Sequence, residues 1–532
     1  MDIQSNFRSL DSLLREVSVT NLSYLVGVSR CDWLCEAGIP VTHNSLSELV
    51  LVEHGISFLS DENIRNEILY GLGFDSKVTR EFNNLRIGDN SKTRLLINLL
   101  ELSPDLLPEK PFRVSAVSQI SSNRCLYPYQ NWMRKEINHF LLKSTKKRAI
   151  VHMPTGSGKT RTSMEGIIDF ARSLKNSKVS IVWLAHSQEL CEQAYEQFTS
   201  LWEKHATEPA NIVRLWGDNK LDEITVDRLT FVITSFSKAH NMVSSSRNDT
   251  FAKITEIKRN NALLVIDEAH QSTAETYQAA IEFLSNTKTK ILGLTATPGR
   301  DYIEGDGDAT KKLANFYENN KLSIVDDDGD AITNPIEFLQ EKKVLAKLQR
   351  IELRTNIFVE LTEQEKKSVE RSIEIPDSVL ERLSEDHQRT NIIIAQIMEL
   401  AVGKGLQTIV FTPTKQNAID LAVLLKLKGC SASAVVAESG DRTRSIADFK
   451  AGKIKVLTNY GVLTTGFDAP NIGAVVIARP TVSVVLYSQM LGRGLRGELM
   501  GGLQDCILVD VVDNIVNMPS ANQAFTFFDE FY

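Results

Sequence analysis

From residue 148 onward, apolar residues fall into short runs of strand length, and a helical pattern separates each run from the next. Such an alternation predicts parallel β-strands joined by crossover helices. The first series ends near residue 300 and comprises RAIVHM, VSIVWLAH, RLTFVIT, ALLVIDE and KILGLTAT. A second series comprises QTIVFTPT, ASAVVAE, IKVLTNY, IGAVVIAR and CILVDVV. The fold class is therefore α/β, with two similar parallel-sheet units in tandem.

The region before the first series differs, because its apolar residues recur at helical spacing. The residues at this spacing are Leu10, Leu13, Leu14 and Val17, followed further along by Leu95, Leu96, Leu99 and Leu100. The serine-rich stretch 113–124 is typical of a linker, and the pattern over 378–402 predicts a helix that leads into the second unit. We predict a mostly helical N-terminal domain over residues 1–115, a first lobe over 116–340 and a second lobe over 341–532.

The composition of the 532 residues, 42% hydrophobic and 24% charged, is that of an ordinary globular protein. We expect no membrane association, because the chain has no long apolar run and its first residues do not resemble a secretory signal. Six cysteines without a dense pattern fit a reducing, cytoplasmic location. The net charge of -7 disfavours a protein that simply coats nucleic acid, but it is compatible with a local basic groove.

A glycine-rich loop follows the strand RAIVHM and precedes a helical pattern, which is the context of a phosphate-binding P-loop. Its glycines allow backbone N–H groups to close around phosphate oxygens, and the helix N-terminus adds a favourable dipole. Lys159 is predicted to reach the β- and γ-phosphates of ATP, and the Thr160 hydroxyl to bind Mg²⁺. Met153 stands where the strict motif has its first glycine. The predicted ATP-binding residues of the loop are Thr155, Gly156, Ser157, Gly158, Lys159 and Thr160.

Two adjacent acids end the apolar strand ALLVIDE and begin the sequence Asp267-Glu268-Ala269-His270. Hydrolysis of Mg-ATP requires acids in such a position. Asp267 can hold Mg²⁺, and Glu268 can orient and polarise the attacking water.

The order of these and further motifs resembles that of superfamily 2 helicases of the DEAH-box kind, over roughly residues 125–515. The resemblance implies two RecA-like lobes that share one ATP site. The matching segments are residues 127–130 (adenine recognition), 183–190 (motif Ia), 233–236 (Ib), 294–298 (III), 409–414 (IV), 464–470 (V) and 489–496 (VI). The same resemblance implies that Gln130 faces the adenine, that Gly466 and Asp468 bind the nucleotide, and that Gln489 acts in catalysis.

Motif VI also has a physical interpretation of its own. Arg493 and Arg496 are three residues apart, so on a helix both would project to one side. Guanidinium groups suit the charge that develops on a γ-phosphate, as arginine fingers do. With the P-loop in one lobe and these arginines in the other, ATP binding is expected to close the cleft and hydrolysis to release it.

The resemblance further implies contacts to the nucleic-acid backbone through hydroxyls and main-chain amides, which position a strand without reading its sequence. The predicted contact residues are Ala185, His186, Thr234, Ser235, Thr412 and Thr464. The motif III variant Thr-Ala-Thr-Pro and the motif V variant Gly-Phe-Asp-Ala-Pro are similar to those of RadD-like and UvsW-like DNA helicases and of restriction-enzyme motor subunits. The preferred partner is therefore DNA, single-stranded or branched, over RNA.

Several alternatives stay open. The first is the motor of a multi-protein defence or restriction system, whose N-terminal domain binds a protein partner, and the second is an RNA helicase. A P-loop ATPase acting on proteins or small molecules would leave the second lobe unexplained. A scaffold with a dead ATP site is disfavoured by the full set of site residues. In the N-terminal domain, a zinc site formed by Cys31, Cys35, His43 and His54 competes with the simpler interpretation of ordinary buried thiols.

Overall fold

A computed structural model gives the fold of most of the chain. The described residues are 8–36, 38–85, 87, 91–103, 106, 125–174, 178–206, 208–217, 219, 226–244, 249–299, 308–326, 329–330, 332, 334–355, 357, 359–365, 375–436, 442–463, 471–481 and 483–513. In this part of the chain, no helix is both long enough and apolar enough to cross a membrane.

The N-terminal region is helical, as predicted. Its elements are α1 (Leu10–Leu14), α2 (Val19–Val26), α3 (Val28–Glu36), α4 (His43–His54), a 3₁₀ turn (Gly55–Ser60), α5 (Glu62–Gly71), α6 (Ser76–Glu81) and α7 (Ser91–Leu99). Side-chain oxygens start several of these helices by accepting a hydrogen bond from the first turn, as Asp61 does from the backbone N–H of Ile64 at 3.0 Å. Leu13, Leu14 and Val17 are buried as their spacing predicted, whereas Leu95 is 54% exposed.

The first lobe is built on a seven-stranded parallel sheet with strand order β3-β4-β2-β5-β6-β1-β7. Its elements are α8 (Pro128–Leu142), β1 (Arg148–His152), α9 (Lys159–Ser173), β2 (Ser180–Ala185), α10 (Gln188–His205), β3 (Asn211–Leu215), β4 (Thr230–Ser235), α11 (Phe236–Ser244), α12 (Asp249–Asn260), β5 (Asn261–Asp267), α13 (Glu275–Leu284), β6 (Lys290–Thr295), α14 (Asp308–Phe316), β7 (Lys321–Ser323) and α15 (Pro335–Glu341). The central strands are buried along their whole length, so they appear in the sequence as continuous apolar runs.

The second lobe is built on a six-stranded parallel sheet with strand order β10-β11-β9-β12-β13-β8. Its elements are β8 (Lys347–Arg354), α16 (Asp377–Glu385), α17 (His387–Met398), a π-helical turn (Glu399–Gly403), β9 (Thr408–Phe411), α18 (Lys415–Leu427), β10 (Ala432–Val435), α19 (Arg442–Lys450), β11 (Val456–Asn459), β12 (Ala474–Ile477), α20 (Val484–Leu491) and β13 (Asp505–Val512). The two-lobe α/β architecture is confirmed, while the limits assigned to the three domains stay a prediction. The helix predicted over 378–402 divides at Asp386, whose side chain caps α17.

The N-terminal helices pack against the second lobe, through one face of α18. Val423 of that helix is fully buried and belongs to the same hydrophobic cluster as the N-terminal leucines. Arg30 forms an ion pair with Asp420, and Lys426 lies 3.3 Å from Glu48. Because α18 also packs on its own sheet, it is enclosed from both sides. The N-terminal region and the second lobe therefore share one packed interface.

A buried ion pair joins α17 to the residue that follows β13. Arg389 donates from Nε and from Nη2 to the two carboxylate oxygens of Asp513, each at 2.9 Å, and the Thr355 hydroxyl donates to the same carboxylate at 2.7 Å. The side chains of Arg389 and Asp513 are 0% and 1% exposed. The pair is therefore shielded from solvent, although Nη1 of Arg389 has no hydrogen-bond partner among the described residues.

Asp513→Ala is expected to lower the free energy of unfolding of the second lobe by about 3–5 kcal/mol, because it leaves a buried guanidinium without its counter-charge. The shift of the urea midpoint followed by circular dichroism measures this loss. Asp505→Ala removes an exposed acid from the start of the same strand and serves as the control. Equal midpoints for the two variants would contradict the prediction.

Candidate ATP site and nucleic-acid face

The P-loop occupies the turn between β1 and α9 and depends on two left-handed glycines. Gly156 and Gly158 have φ values of 86° and 84°, a conformation that residues with a Cβ rarely adopt. A Cβ on Gly158 would lie 2.5 Å from Nε2 of Gln130, so the close approach of this side chain also requires glycine. The carbonyl of Ser157 accepts hydrogen bonds from the Tyr129 hydroxyl at 2.7 Å and from Gln130 Nε2 at 2.9 Å. The segment predicted to recognise adenine thus supports the phosphate loop directly.

The acid pair stands at the carboxyl end of β5, two strands away from β1 at the same edge of the sheet. Asp267 is 3% exposed, and burial raises its pKa to about 6, although the nearby Lys159 acts in the opposite direction. Burial would also raise the pKa of Glu268, but Lys159, His270 and other cationic side chains outweigh it and lower the pKa. The ionised form is therefore favoured at Glu268.

A chain of polar contacts leads from Glu268 to the segment matched to motif III. Nδ1 of His270 lies 3.5 Å from a carboxylate oxygen of Glu268 and 3.3 Å from the hydroxyl of Thr295. That hydroxyl donates to the carbonyl of Thr297 at 2.9 Å and accepts from the N–H of the same residue at 3.1 Å. Glu268 itself has a φ of 52°, which is uncommon for a residue other than glycine. Any movement of the Glu268 carboxylate would therefore be transmitted through His270 to the hydrogen bonds of residues 295–297.

The arginines of motif VI do not lie on a helix, which corrects the predicted local structure. Helix α20 ends at Leu491, before Arg493, and Arg496 forms an isolated antiparallel bridge with Leu345. Glycines stand on both sides of Arg493, and a Cβ on Gly494 would lie 2.5 Å from the sulfur of Cys506. Burial lowers the pKa of Arg493 to about 10, an effect that Glu268 partly opposes, so the guanidinium stays charged at neutral pH. Burial also lowers the pKa of Arg496.

One cleft of about 430 Å³ between the lobes brings the predicted site residues together. The predicted residues that line it are Gln130, Thr155, Gly156, Gly158, Lys159, Thr160, Asp267, Glu268, Gln489, Arg493 and Arg496. Ser157 is buried, and its hydroxyl donates to the carbonyl of Pro154 at 2.7 Å, so only its backbone can serve a ligand. Gly466 and Asp468 lie outside the described residues, and the roles implied for them stay predictions.

The lobes are in direct contact across this cleft. A Cβ on Gly492 of the second lobe would overlap Cγ2 of Thr155 in the P-loop. The Tyr127 hydroxyl donates to the carbonyl of Leu499 at 3.0 Å, and Met500 lines the cleft beside Gly158. Leu499 and Met500 were not among the predicted site residues, because they follow motif VI and carry no signal of a function.

Thr160 and Asp267 fit a magnesium ion in their chemistry. A hydroxyl and a carboxylate supply the hard oxygen ligands that Mg²⁺ prefers, and both line the phosphate cleft. A cation would also favour the ionised form of the buried Asp267 carboxylate, whose pKa is otherwise raised.

Most of the residues predicted to contact nucleic acid are buried, and the contacts assigned to them stay a prediction. Ala185, Thr234, Ser235 and Thr412 are buried. The Thr234 hydroxyl donates to the carbonyl of Leu215 at 2.9 Å, and the Thr412 hydroxyl lies 2.9 Å from the carbonyl of Thr414. These hydroxyls stabilise the ends of their strands and are not free for phosphate.

His186 is exposed and therefore remains a candidate for nucleic-acid contact, and its Nδ1 lies 2.6 Å from the Tyr277 hydroxyl. Thr464 lies outside the described residues. The contact predicted for it is neither supported nor contradicted.

The zinc alternative receives no support from the described residues. Among them, no group of three or more His, Cys, Asp or Glu side chains is placed to hold a metal ion. In His43, Nε2 lies 3.1 Å from the carbonyl of Val17 and Nδ1 lies 3.3 Å from the Ser47 hydroxyl, so both ring nitrogens have protein partners.

Comparisons with known proteins agree with this geometry. Residues 124–300 match the family model described as type III restriction enzyme, res subunit, and residues 390–498 match the helicase conserved C-terminal domain. The irc3 protein of Schizosaccharomyces pombe, named as a mitochondrial ATP-dependent helicase, is 28% identical over 387 residues. That alignment covers 70% of this chain and 54% of the relative, so the chain spans about half of that protein. The IRC3 protein of Saccharomyces cerevisiae is 27% identical over 257 residues, which cover 47% of this chain and 34% of that one.

A solved structure shares the fold. It is a fragment described as an HsdR subunit of a type I restriction enzyme from Vibrio vulnificus, with 21% identity and a TM-score of 0.50, and the match covers 75% of this chain and 66% of that one. The two family models together cover more than half of the chain and contain the P-loop, the acid pair and both arginines. The chain belongs to the superfamily 2 helicases, a class of ATP-hydrolysing enzymes, and within that class it resembles restriction-enzyme motor subunits.

Proposed function

We propose that the protein is a DNA-dependent ATPase motor, a helicase or translocase that uses Mg-ATP hydrolysis between its lobes to move on or remodel DNA. One observation carries this proposal. Lys159 and Glu268 from the first lobe, and Arg493 and Arg496 from the second, line the same cleft. A site divided in this way is complete only when the lobes are closed, so hydrolysis is tied to their relative movement.

Each side chain in the cleft has a chemical role in this proposal. Lys159 binds the β- and γ-phosphates, and Thr160 with Asp267 would hold Mg²⁺, which supplies positive charge to the phosphate oxygens. Glu268, ionised beside Lys159, accepts a hydrogen bond from the attacking water and orients it. Arg493 stabilises the charge that develops on the transferred phosphoryl group. Arg496 and Gln489 line the cleft from the same lobe as Arg493. The resemblance assigns Gln130 to the adenine, while its Oε1 accepts from the N–H of Tyr127 and its Nε2 donates to the carbonyl of Ser157.

Contacts between the acid pair and motif III offer a route from ATP chemistry to the bound strand. The network from Glu268 through His270 to Thr295 and Thr297 joins the end of β5 to the end of β6. A change in the charge around Glu268 on hydrolysis would therefore be felt at residues 295–297. This coupling is what a motor requires beyond the ability to split ATP.

DNA is favoured as the substrate by the match of residues 124–300 to a restriction-enzyme subunit. Work in repair or recombination fits a single-stranded or branched DNA substrate. The same match supports a second candidate, the motor subunit of a multi-protein anti-phage or restriction system, in which residues 1–115 bind a protein partner. An RNA helicase is the remaining alternative. We also place the protein in the cytoplasm, because six cysteines without a dense pattern fit a reducing compartment.

The test is steady-state ATP hydrolysis by the purified chain with single-stranded DNA, forked DNA, duplex DNA and single-stranded RNA. We expect strong stimulation by DNA and little by RNA. Lys159→Ala is expected to reduce hydrolysis to background, because it removes the cation that binds the transferred phosphate. Lys143→Ala, an exposed lysine at the end of α8, should behave as wild type. Stimulation by RNA alone would favour the RNA helicase, and equal rates with and without nucleic acid would overturn the motor.

A further inference from the structure

A second cavity, of about 720 Å³, lies where the N-terminal region meets the second lobe, away from the ATP cleft. Its walls come from α3, from α16 and from the first turns of α18, which directly follow motif IV. The ion pair between Arg30 and Asp420 and the burial of Val423 hold these walls together. The second lobe therefore supplies most of the cavity wall, and the N-terminal helices contribute Asp32 to it.

The charge on the cavity wall is strongly negative. Asp377, Glu381 and Glu385 are spaced four residues apart on α16, so they share one face of the helix, and all three line the cavity. Asp32 of α3 lines it as well. Among the described residues, none of these four carboxylates has a hydrogen bond or an ion pair. The arginine of the same helix, Arg382, is engaged elsewhere and donates to Glu365 at 2.9 and 3.0 Å.

Like charges four residues apart destabilise an isolated helix. Three such acids on one face, with a fourth on the neighbouring element, therefore carry a mutual repulsion that a cation would relieve. Lys415 and His387 also line the cavity, but they are too few to balance these four acids. Asp420 lines it as well, and Arg30 balances its charge. The cavity is set up to attract positive charge.

An independent observation also indicates a missing hydrogen-bond donor. Asn417 lines the cavity and is 3% exposed. Its Nδ2 donates to the carbonyl of Ser384 at 3.4 Å, whereas its Oδ1 has no hydrogen-bond partner among the described residues. A buried acceptor left in this way costs free energy unless a donor reaches it. An incoming guanidinium or ammonium group supplies donors and positive charge together.

We propose that this cavity binds a basic segment of a partner protein, through arginine or lysine side chains that contact the acidic face of α16. Nucleic acid is a poor occupant, because its phosphates would meet four unpaired carboxylates. The site lies beside motif IV, so a partner bound there would sit next to the region where a strand is expected to pass. The inference goes beyond the motor function and does not depend on ATP hydrolysis.

The test uses the full chain and a fluorescein-labelled oligo-arginine peptide, with binding measured by fluorescence anisotropy at physiological salt. The triple variant Asp377→Asn, Glu381→Gln, Glu385→Gln is expected to bind the peptide about tenfold more weakly, through the loss of three partly exposed ion pairs. The matched control, Glu136→Gln, Glu203→Gln, Glu282→Gln, removes the same charge from exposed helical positions of the first lobe. It should bind like wild type, and circular dichroism confirms that both variants fold.

Two results would overturn the proposal. Equal weakening in both triple variants would mean that the peptide responds only to the net charge of the protein. Unchanged peptide binding in the α16 variant, together with tighter binding of single-stranded DNA, would mean that the acids merely repel the strand. Because the readout is peptide affinity, failure of the proposed ATPase activity would leave this test intact.

Discussion

Arg493→Ala is expected to slow ATP hydrolysis by about 10³–10⁵-fold, the range measured for arginine fingers in phosphoryl transfer. The side chain lines the ATP cleft from the second lobe and is near enough to Glu268 for the carboxylate to affect its pKa. Its side chain is half-buried, so its charge acts in a medium where electrostatic effects are larger than in water. Single-turnover hydrolysis with saturating DNA measures the chemical step directly.

A measurement of ATP binding distinguishes a role of Arg493 in the chemical step from a role in maintaining the structure. The P-loop belongs to the first lobe, so Arg493→Ala should change the affinity for a fluorescent ATP analogue much less than the rate. Arg444→Ala, an exposed arginine on α19 of the same lobe, is the matched control and should retain full activity. A rate loss below about tenfold for Arg493→Ala would remove this residue from the proposed transition-state contacts.

Glu268→Gln is expected to reduce hydrolysis by about 10²–10⁴-fold while the protein still binds ATP. The substitution keeps the shape of the side chain but removes the negative charge that orients and polarises water. With hydrolysis blocked, the lobes should stay closed on ATP, so the variant should dissociate from DNA more slowly than wild type when ATP is present.

Stopped-flow dissociation from labelled single-stranded DNA measures this effect, with Glu282→Gln as the control from the same lobe. If the variant releases DNA at the wild-type rate in ATP, the proposed link between the acid pair and strand binding is wrong.

His270 lies between Glu268 and Thr295, so its replacement by Ala should weaken the same link without removing the water-orienting carboxylate.

The strands that the sequence pattern missed are all at sheet edges. β3 and β7 flank the first sheet, and β8 flanks the second. β3 is partly exposed along most of its length, β7 has three residues, and β8 alternates between exposed and half-buried positions. An edge strand lacks a neighbour on one side, so it has fewer positions that must be apolar. The central strands are covered on both faces and therefore gave unambiguous apolar runs.

The residues of the candidate ATP site could be predicted together, because ATP chemistry demands particular residues at fixed places on strands and loops. Lys159, Glu268 and Arg493 follow from that demand, and the structure places all three in one cleft. The contacts across the lobes were not predictable in this way. The fit of Gly492 against Thr155 depends on how two domains meet, which no local pattern records.

The hydroxyls assigned to nucleic-acid binding illustrate a different limit. A threonine at the end of a buried strand can serve either a ligand or the neighbouring backbone, and its identity alone does not distinguish the two. In Thr234 and Thr412 the backbone takes the hydrogen bond.

In this protein, the order of the segments along the chain does not show which lobe the N-terminal helices pack against. The N-terminal helices precede the first lobe in sequence, yet they pack on α18 of the second lobe through Val423 and the pair of Arg30 with Asp420. They should therefore travel with the second lobe whenever the cleft opens or closes. A small rotation of the second lobe about the ATP site would displace the far side of those helices by a larger distance, because the displacement grows with the distance from the axis. Under the proposed motor function, a protein bound to those helices would move together with the second lobe in each cycle of ATP hydrolysis.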